Sequence, residues 1–580
     1  MSSKNYVYRT EPIHVFPELQ IERGHNGLAQ QIFTRLQDDN SLTLISIDGF
    51  VGLPWTPFIT HLRTALDQLG IQAHWLSTDS CFLPEERLDQ ALESSLTNDP
   101  VFGRLYHGTL TELWDASAVQ QLRTSLEDLA GIRIVYGYGA SLLVPQGMHI
   151  YVDVPKDRGQ ALASQGVVSN VGSHTHLSFG QTYKRFYFVD WPMLNRIKRQ
   201  ELSRLDLYVD GTFCDAPRTV SGDDFRNALH ALAQQPFRVK PWFAPGPWGG
   251  QWMKEQFGLP PEQPNYAWSF ELIAPENGLL LGNGEQSIEC AFDYLLWLET
   301  DAVLGVAVAA RYGSYFPIRF DYLDTMGGTN LSCQVHPRVD YIRNEFGEPF
   351  TQDETYYIVT CDPEARVYLG LREETDLESF KAAAYAARDQ QVPFDINTYV
   401  NSQPSHPHDL FLIPSGTVHC SGANNLVLEI SATPYIFTFK IYDYLRSDLS
   451  GKLRHVHLDH AFANLEPARR TDWVGEHLCP SPTLLREGID WAEYSIGNIE
   501  QLFFAIHRLE FRSQINDHTA GKFVALNLVE GERCEILTPG NSAVELRFAE
   551  SIIIPASVGN YTLRNLSPAT PCKVVKAFVK

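Results

Sequence analysis

The sequence predicts a multidomain protein: an N-terminal α/β unit with a parallel sheet, followed by two β-rich units. Three observations carry this. The chain has 580 residues, too many for one ordinary hydrophobic core. Up to about residue 230, β-branched runs alternate with helical patterns. Beyond a Pro-, Gly- and Trp-dense stretch near residue 240, short apolar strands separated by turn residues take over.

The elements follow in order. SLTLISIDG (41–49) reads as a strand ending at a glycine turn. TPFITHLRTALDQLG (56–70) has apolar residues at helical spacing and a glycine where a helix would stop. IRIVYGYG (132–139) and HIYVDVP (149–155) read as further buried strands. RVKPWFAPGPWGGQW (238–252) marks a junction. After it the pattern fits a barrel or sandwich with one helical interruption at about 375–390. The strands FVALNLV (523–529) and SIIIPA (551–556) place a smaller β unit at the end. The expected units are 1–235, 236–464 and 465–580.

Composition narrows the function. The chain has 46 basic and 69 acidic residues, a net charge of −23. This argues against nucleic-acid binding as the main activity, although a local basic pocket can still hold a small phosphate. The nine cysteines are scattered without a CxxC pair, as expected of reduced thiols in a cytoplasmic protein. The N-terminal stretch lacks the apolar core of a signal peptide, and the run AVLGVAVAA (302–310) is too short to span a bilayer. No membrane partner is expected.

The turn SIDGFVGLPWTPF (46–58) lies where a phosphate-binding loop would, after a strand and opening a helix. Against G-x-x-x-x-G-K-[ST], Gly49 and Thr56 fit, but Pro54 replaces the second glycine and Trp55 the lysine. Proline has no N–H to offer a phosphate, so phosphoryl transfer is not expected here. With IRIVYGYGASLL and HIYVDVPKDRG, the segment nevertheless resembles the uridine kinase and phosphoribulokinase group of P-loop folds. That resemblance implies a kinase-like fold with a degenerate, inactive phosphate loop.

A metal site is legible further on. In LSCQVHP (331–337), Gln334 and His336 are two apart in a strand-like run, so both side chains leave one face. QDETYYIV (352–359) brings Glu354 to the start of the next strand, and IPSGTVH (413–419) delivers His419 just past a turn. Two imidazoles, a carboxylate and an amide oxygen form a donor set for a borderline divalent ion, most simply one Zn²⁺ per chain. The clusters SHTH (His174, His176) and RHVHLDH (His455, His457, His460) have ligand-like spacing too, but read as polar surface or structural histidines.

Residues 240–580 resemble the class I mannose-6-phosphate isomerases, notably the short bacterial form, a cupin (jelly-roll) family. PWGG (247–250), AWSFELIAPENG (267–278), FPIRFDYLD (316–324), LSCQVHP, DETYYIV and IPSGTVH carry the resemblance in order. It implies Gln334, His336, Glu354 and His419 as zinc ligands, a phosphosugar substrate and aldose–ketose isomerisation. It also implies Glu429 as a proton-transfer group and Ser332 as a pocket residue. The chain departs at three points: Gln352 replaces a family lysine, Arg319 replaces another, and Lys440 stands for an arginine after a one-residue slip. If Gln352 weakens the pocket, Gln352→Lys is expected to strengthen it. The alternatives are a sugar-phosphate-binding regulatory protein and, more remotely, a small-molecule kinase acting through the N-terminal unit.

Overall fold

The computed structural model describes residues 8–448, 451–540 and 543–580. The first unit is built on a seven-stranded sheet. Its spatial order is Glu22–Arg23, Arg218–Ser221, Leu207–Asp210, Met148–Asp153, Leu44–Gly49, Ile132–Tyr136, Ala73–Ser77. The last five run parallel to one another. Ile45, Ile47, Ile134, Val135, Ile150, Tyr151, Val152, Tyr208 and Val209 on these strands are buried, as in a parallel sheet covered on both faces. The helix Trp55–Gln68 buries Phe58, Ile59, Leu62, Ala65 and Leu66 on one stripe, as its spacing predicts.

The middle unit pairs two antiparallel sheets. One runs in the order Leu410–Ile413, Glu354–Cys361, Asn425–Ala432, Ile318–Asp324, Trp268–Leu272, Trp242–Ala244. The other runs Val400–Pro404, Arg366–Leu371, His419–Ser421, Cys333–Val335, Phe439–Tyr442. The C-terminal unit repeats the design with a six-stranded and a four-stranded sheet, closed over a core that includes Leu509, Leu526, Ile536 and Leu563.

The expectation of a single helical interruption falls short. The helix Leu377–Gln390 is present, but so are Phe292–Leu298, Thr300–Leu304, Val306–Tyr312 and Val339–Phe346. The apolar run 302–310 was read only as too short to span a bilayer. It folds as two helical turns that bury Val303, Leu304 and Val308 and expose Val306. Gly305 separates them at φ +84°, and a side chain there would strike the Gly521 carbonyl.

The units are welded together. Ile13–Val15 pairs in parallel with Gly278–Gly282, and Phe237 bridges to Ile553. One continuous apolar core runs from Tyr8 to Val579. Among the described residues, no helix is long and apolar enough to cross a membrane.

Candidate metal centre and pocket

The strand register assembles the site. On the five-stranded sheet Gln334 lies opposite His419 on one side and Lys440 on the other, so three polar side chains form one row across three strands. His336 follows one residue past the strand end, on the same face as Gln334. Glu354 is the first residue of its strand in the facing sheet. The outcome is a buried cluster in which ligand atoms of His336, Glu354 and His419 lie within 4.8 Å of one another.

Hydrogen bonds fix the orientation of both imidazoles. His336 Nδ1 lies 3.0 Å from the Phe437 carbonyl and His419 Nδ1 2.9 Å from the Thr417 carbonyl. A carbonyl can only accept, so each Nδ1 carries the hydrogen and each Nε2 presents its lone pair inward. Both Nε2 atoms face Glu354. Burial pushes the His336 imidazole below its ordinary value, against the opposing pull of Glu354, which keeps it in the neutral form that binds metal. The second oxygen of Glu354 has no protein partner. Two lone pairs and a carboxylate aimed at one point, sealed from water, fit a divalent cation. The Gln334 side chain stands 3.3 Å from His419 Nε2, and its Oε1 accepts from Ser332 Oγ at 3.0 Å. It is within reach as a fourth ligand once its amide oxygen turns inward.

Beside the cluster opens a pocket of about 320 Å³, within the range of about 300–1,000 Å³ usual for small-molecule sites. Ser332, Gln334, Gln352, Arg319, Glu429 and Lys440 all line it. So do Trp242, Trp248, Trp268 and Phe270, which stack or meet edge to face. Burial, reinforced by Arg454, lowers Lys440 to about 8.

Arg319 is not the isolated phosphate-facing cation that a lysine replacement implied. It is buried, with Nε 3.0 Å from Asp321 and 2.8 Å from Ser431 Oγ, and with Nη2 on Glu429. With its amide set to donate to the Pro434 carbonyl at 2.7 Å, Gln352 accepts from Arg319 Nη2 at 3.3 Å. This reverses the expected sign of Gln352→Lys. The new ammonium would be buried against a guanidinium, and Gln352 is only 2% exposed. We expect a loss of about 1–3 kcal/mol in stability and no gain in isomerase efficiency. Denaturant unfolding and steady-state kinetics of the variant check both.

The other sequence candidates lie elsewhere. Thr56, His174 and His176 line a separate cavity at the C-terminal ends of the parallel strands. There the Trp55 indole fills the loop interior, 3.0 Å from where a Cβ on Gly49 would stand. His174 pairs with Asp79 and His460 with Asp99, while burial lowers His457 to about 3. Among the described residues these histidines form no ligand cluster. Several pocket groups went unread in the sequence, Asp321, Gln160 and Tyr183 among them. Asp321 was signalled by its i, i+2 spacing from Arg319. Gln160 and Tyr183, from the first unit, had no local signal at all.

Residues 24–234 match the model of a domain of unknown function, DUF8485; this gives the kinase likeness no support. Mannose-6-phosphate isomerase ManA of Bacillus subtilis is 25% identical over 335 residues, covering 57% of this chain and 96% of ManA. A second Bacillus subtilis protein, "Probable mannose-6-phosphate isomerase GmuF", is 28% identical over 233 residues, 39% of this chain and 67% of its own. The solved mannose 6-phosphate isomerase of Bacillus subtilis superposes at a TM-score of 0.47 and 19% identity, over 59% of this chain and 99% of its own. The chain thus has homologues named as mannose-6-phosphate isomerases, at modest identity.

Proposed function

We propose that the protein is a metal-dependent aldose–ketose isomerase that interconverts mannose 6-phosphate and fructose 6-phosphate, or a closely related phosphosugar pair. The observation that carries this reading is the convergence of His336, Glu354 and His419 beside an aromatic-lined pocket that Gln334 also lines. Gln334, His336, Glu354 and His419 would hold one Zn²⁺. Bound there, the ion would supply a positive charge that orients sugar oxygens and stabilises negative charge on them.

The chain's own residues do the rest. Isomerisation moves a proton between neighbouring carbons, which needs a base poised near neutral pH. Glu429, the candidate from sequence, is tied to Arg319 and accepts from Ser431 Oγ at 2.8 Å. Asp321 lies directly opposite it in register. Burial pushes Asp321 up to about 7 against the pull of Arg319, and one of its oxygens has no hydrogen-bond partner. Asp321 is therefore the better-poised base, with burial, Glu354 and Glu271 opposing Arg319 in setting its charge. Lys440 faces the pocket as the phosphate-binding cation, and the indoles offer flat faces for the sugar's C–H surface.

The deciding experiment is an assay of purified, zinc-loaded protein against a panel of phosphorylated aldoses and ketoses. Reversible conversion of mannose 6-phosphate is the expected result. Binding of the sugar without turnover would replace this reading with the regulatory one.

A further inference from the structure

The N-terminal α/β unit reaches the pocket. Gln160, from the helix Lys156–Ser164, and Tyr183, from the helix Phe179–Arg185, both line it. Each touches a pocket residue of the middle unit. Gln160 Nε2 donates to Glu276 Oε2 at 3.3 Å, and the Tyr183 hydroxyl stands 3.5 Å from that of Tyr435. The other oxygen of Glu276 is buried in the pocket lining with no hydrogen-bond partner. We infer that the α/β unit is the substrate-facing wall of this pocket, and that Gln160 and Tyr183 select which sugar phosphate it accepts.

Two further observations make the wall a fixed part of the site. The first is its anchorage. The Phe102 ring stacks on Phe437 with centroids 5.8 Å apart, and Phe188 meets Phe437 edge to face. The Phe437 carbonyl is the acceptor that orients His336. The main chain of Leu105 donates to Phe346, and Tyr187 donates to Glu348. The first unit therefore braces the same loop that positions a metal ligand. The second is the chemistry of the wall. It presents an amide and a phenol, next to the unpartnered Glu276 oxygen of the middle unit, a donor–acceptor set suited to sugar hydroxyls rather than to the phosphate. ManA aligns over 96% of its length with only 57% of this chain, so it is too short to carry an added unit of this size.

This inference rests on the isomerase reading for the identity of the ligand, and its test separates the two. Zinc-loaded full-length wild type, Gln160→Leu and Tyr183→Phe would be compared on mannose 6-phosphate and on other hexose 6-phosphates. Zinc content and melting temperature serve as controls. A contact made equally in ground and transition states appears in KM, so each variant should raise KM about tenfold with kcat, zinc and melting temperature near wild type. The ratio of kcat/KM between epimeric substrates should shift with it. Unchanged KM and unchanged selectivity, with wild type active, overturn the wall and leave the isomerase intact. A loss of kcat that tracks melting temperature also overturns it. If wild type turns over nothing, the isomerase reading falls, and calorimetric binding of mannose 6-phosphate to the same three proteins decides. Tenfold weaker binding in the variants supports the wall; equal binding, or none even to wild type, overturns it.

Discussion

Replacing either His336 or His419 by alanine is expected to empty the metal centre. Both imidazoles are locked by backbone carbonyls with Nε2 aimed at Glu354, so each is a fixed donor to the centre. Removing even an outer partner of a metal ligand typically costs about 10–100-fold in affinity, and a direct ligand costs more. Elemental analysis should find about one Zn²⁺ per wild-type chain and little in either variant, since structural and catalytic zinc sites need their full protein donor set. Turnover should fall by more than about a hundredfold, given that a catalytic ion supplies several kcal/mol of transition-state stabilisation. Stability offers a second readout. A chelator should lower the melting temperature of wild type, because the ion binds only the folded chain, and should leave the variants unmoved. Wild type that holds no divalent metal after gentle purification would sink the proposal.

Arg319→Met should be the most destabilising single change in the pocket. Arg319, Asp321 and Glu429 are all buried, and the guanidinium is the shared counter-charge of two carboxylates that face each other across the register. Breaking a buried ion pair from one side costs about 3–5 kcal/mol, because the remaining charge is left uncompensated. The sign of the pH dependence follows. Asp321 titrates near 7 in the folded protein, since burial outweighs Arg319, and near about 4 unfolded. Between those values the folded state binds more protons, so this group's contribution to stability declines as pH rises and levels off above 7. Without Arg319 the folded value moves higher and the decline continues past neutrality. The deficit of the variant should therefore be larger at pH 8 than at pH 5 in denaturant unfolding. Adding Glu429→Gln should recover part of it by removing one stranded charge. A deficit under about 1 kcal/mol, the size of an exposed ion pair, or one identical at both pH values, would show that Arg319 does not hold these carboxylates.

The metal ligands were legible because their information is local. Gln334 and His336 declare a common face by their spacing, and the turn before His419 fixes where that strand begins. Three parallel strands of the first unit, Leu44–Gly49, Ile132–Tyr136 and Met148–Asp153, were legible for a similar reason, as β-branched runs closed by a Gly or Pro turn; Ala73–Ser77 and Leu207–Asp210 were not read. The helices between Phe292 and Tyr312 were not, because an apolar, Ala-rich run satisfies either period until a partner surface chooses which residues to bury. Gln352 and Arg319 show the deeper limit. Compared position by position, Gln352 loses a family charge and Arg319 keeps one. In the sheet, Arg319 is a counter-charge, and only the register of Ile318–Asp324 against Asn425–Ala432 places it between Asp321 and Glu429. The wall formed by Gln160 and Tyr183 lies further still from anything local, since it joins residues over 100 positions apart across two units. The sequence alone determined which side chains could bind a metal and which elements would present them. Tertiary structure alone decided which charges neutralise one another and what closes the pocket, because both depend on long-range burial that no single segment encodes.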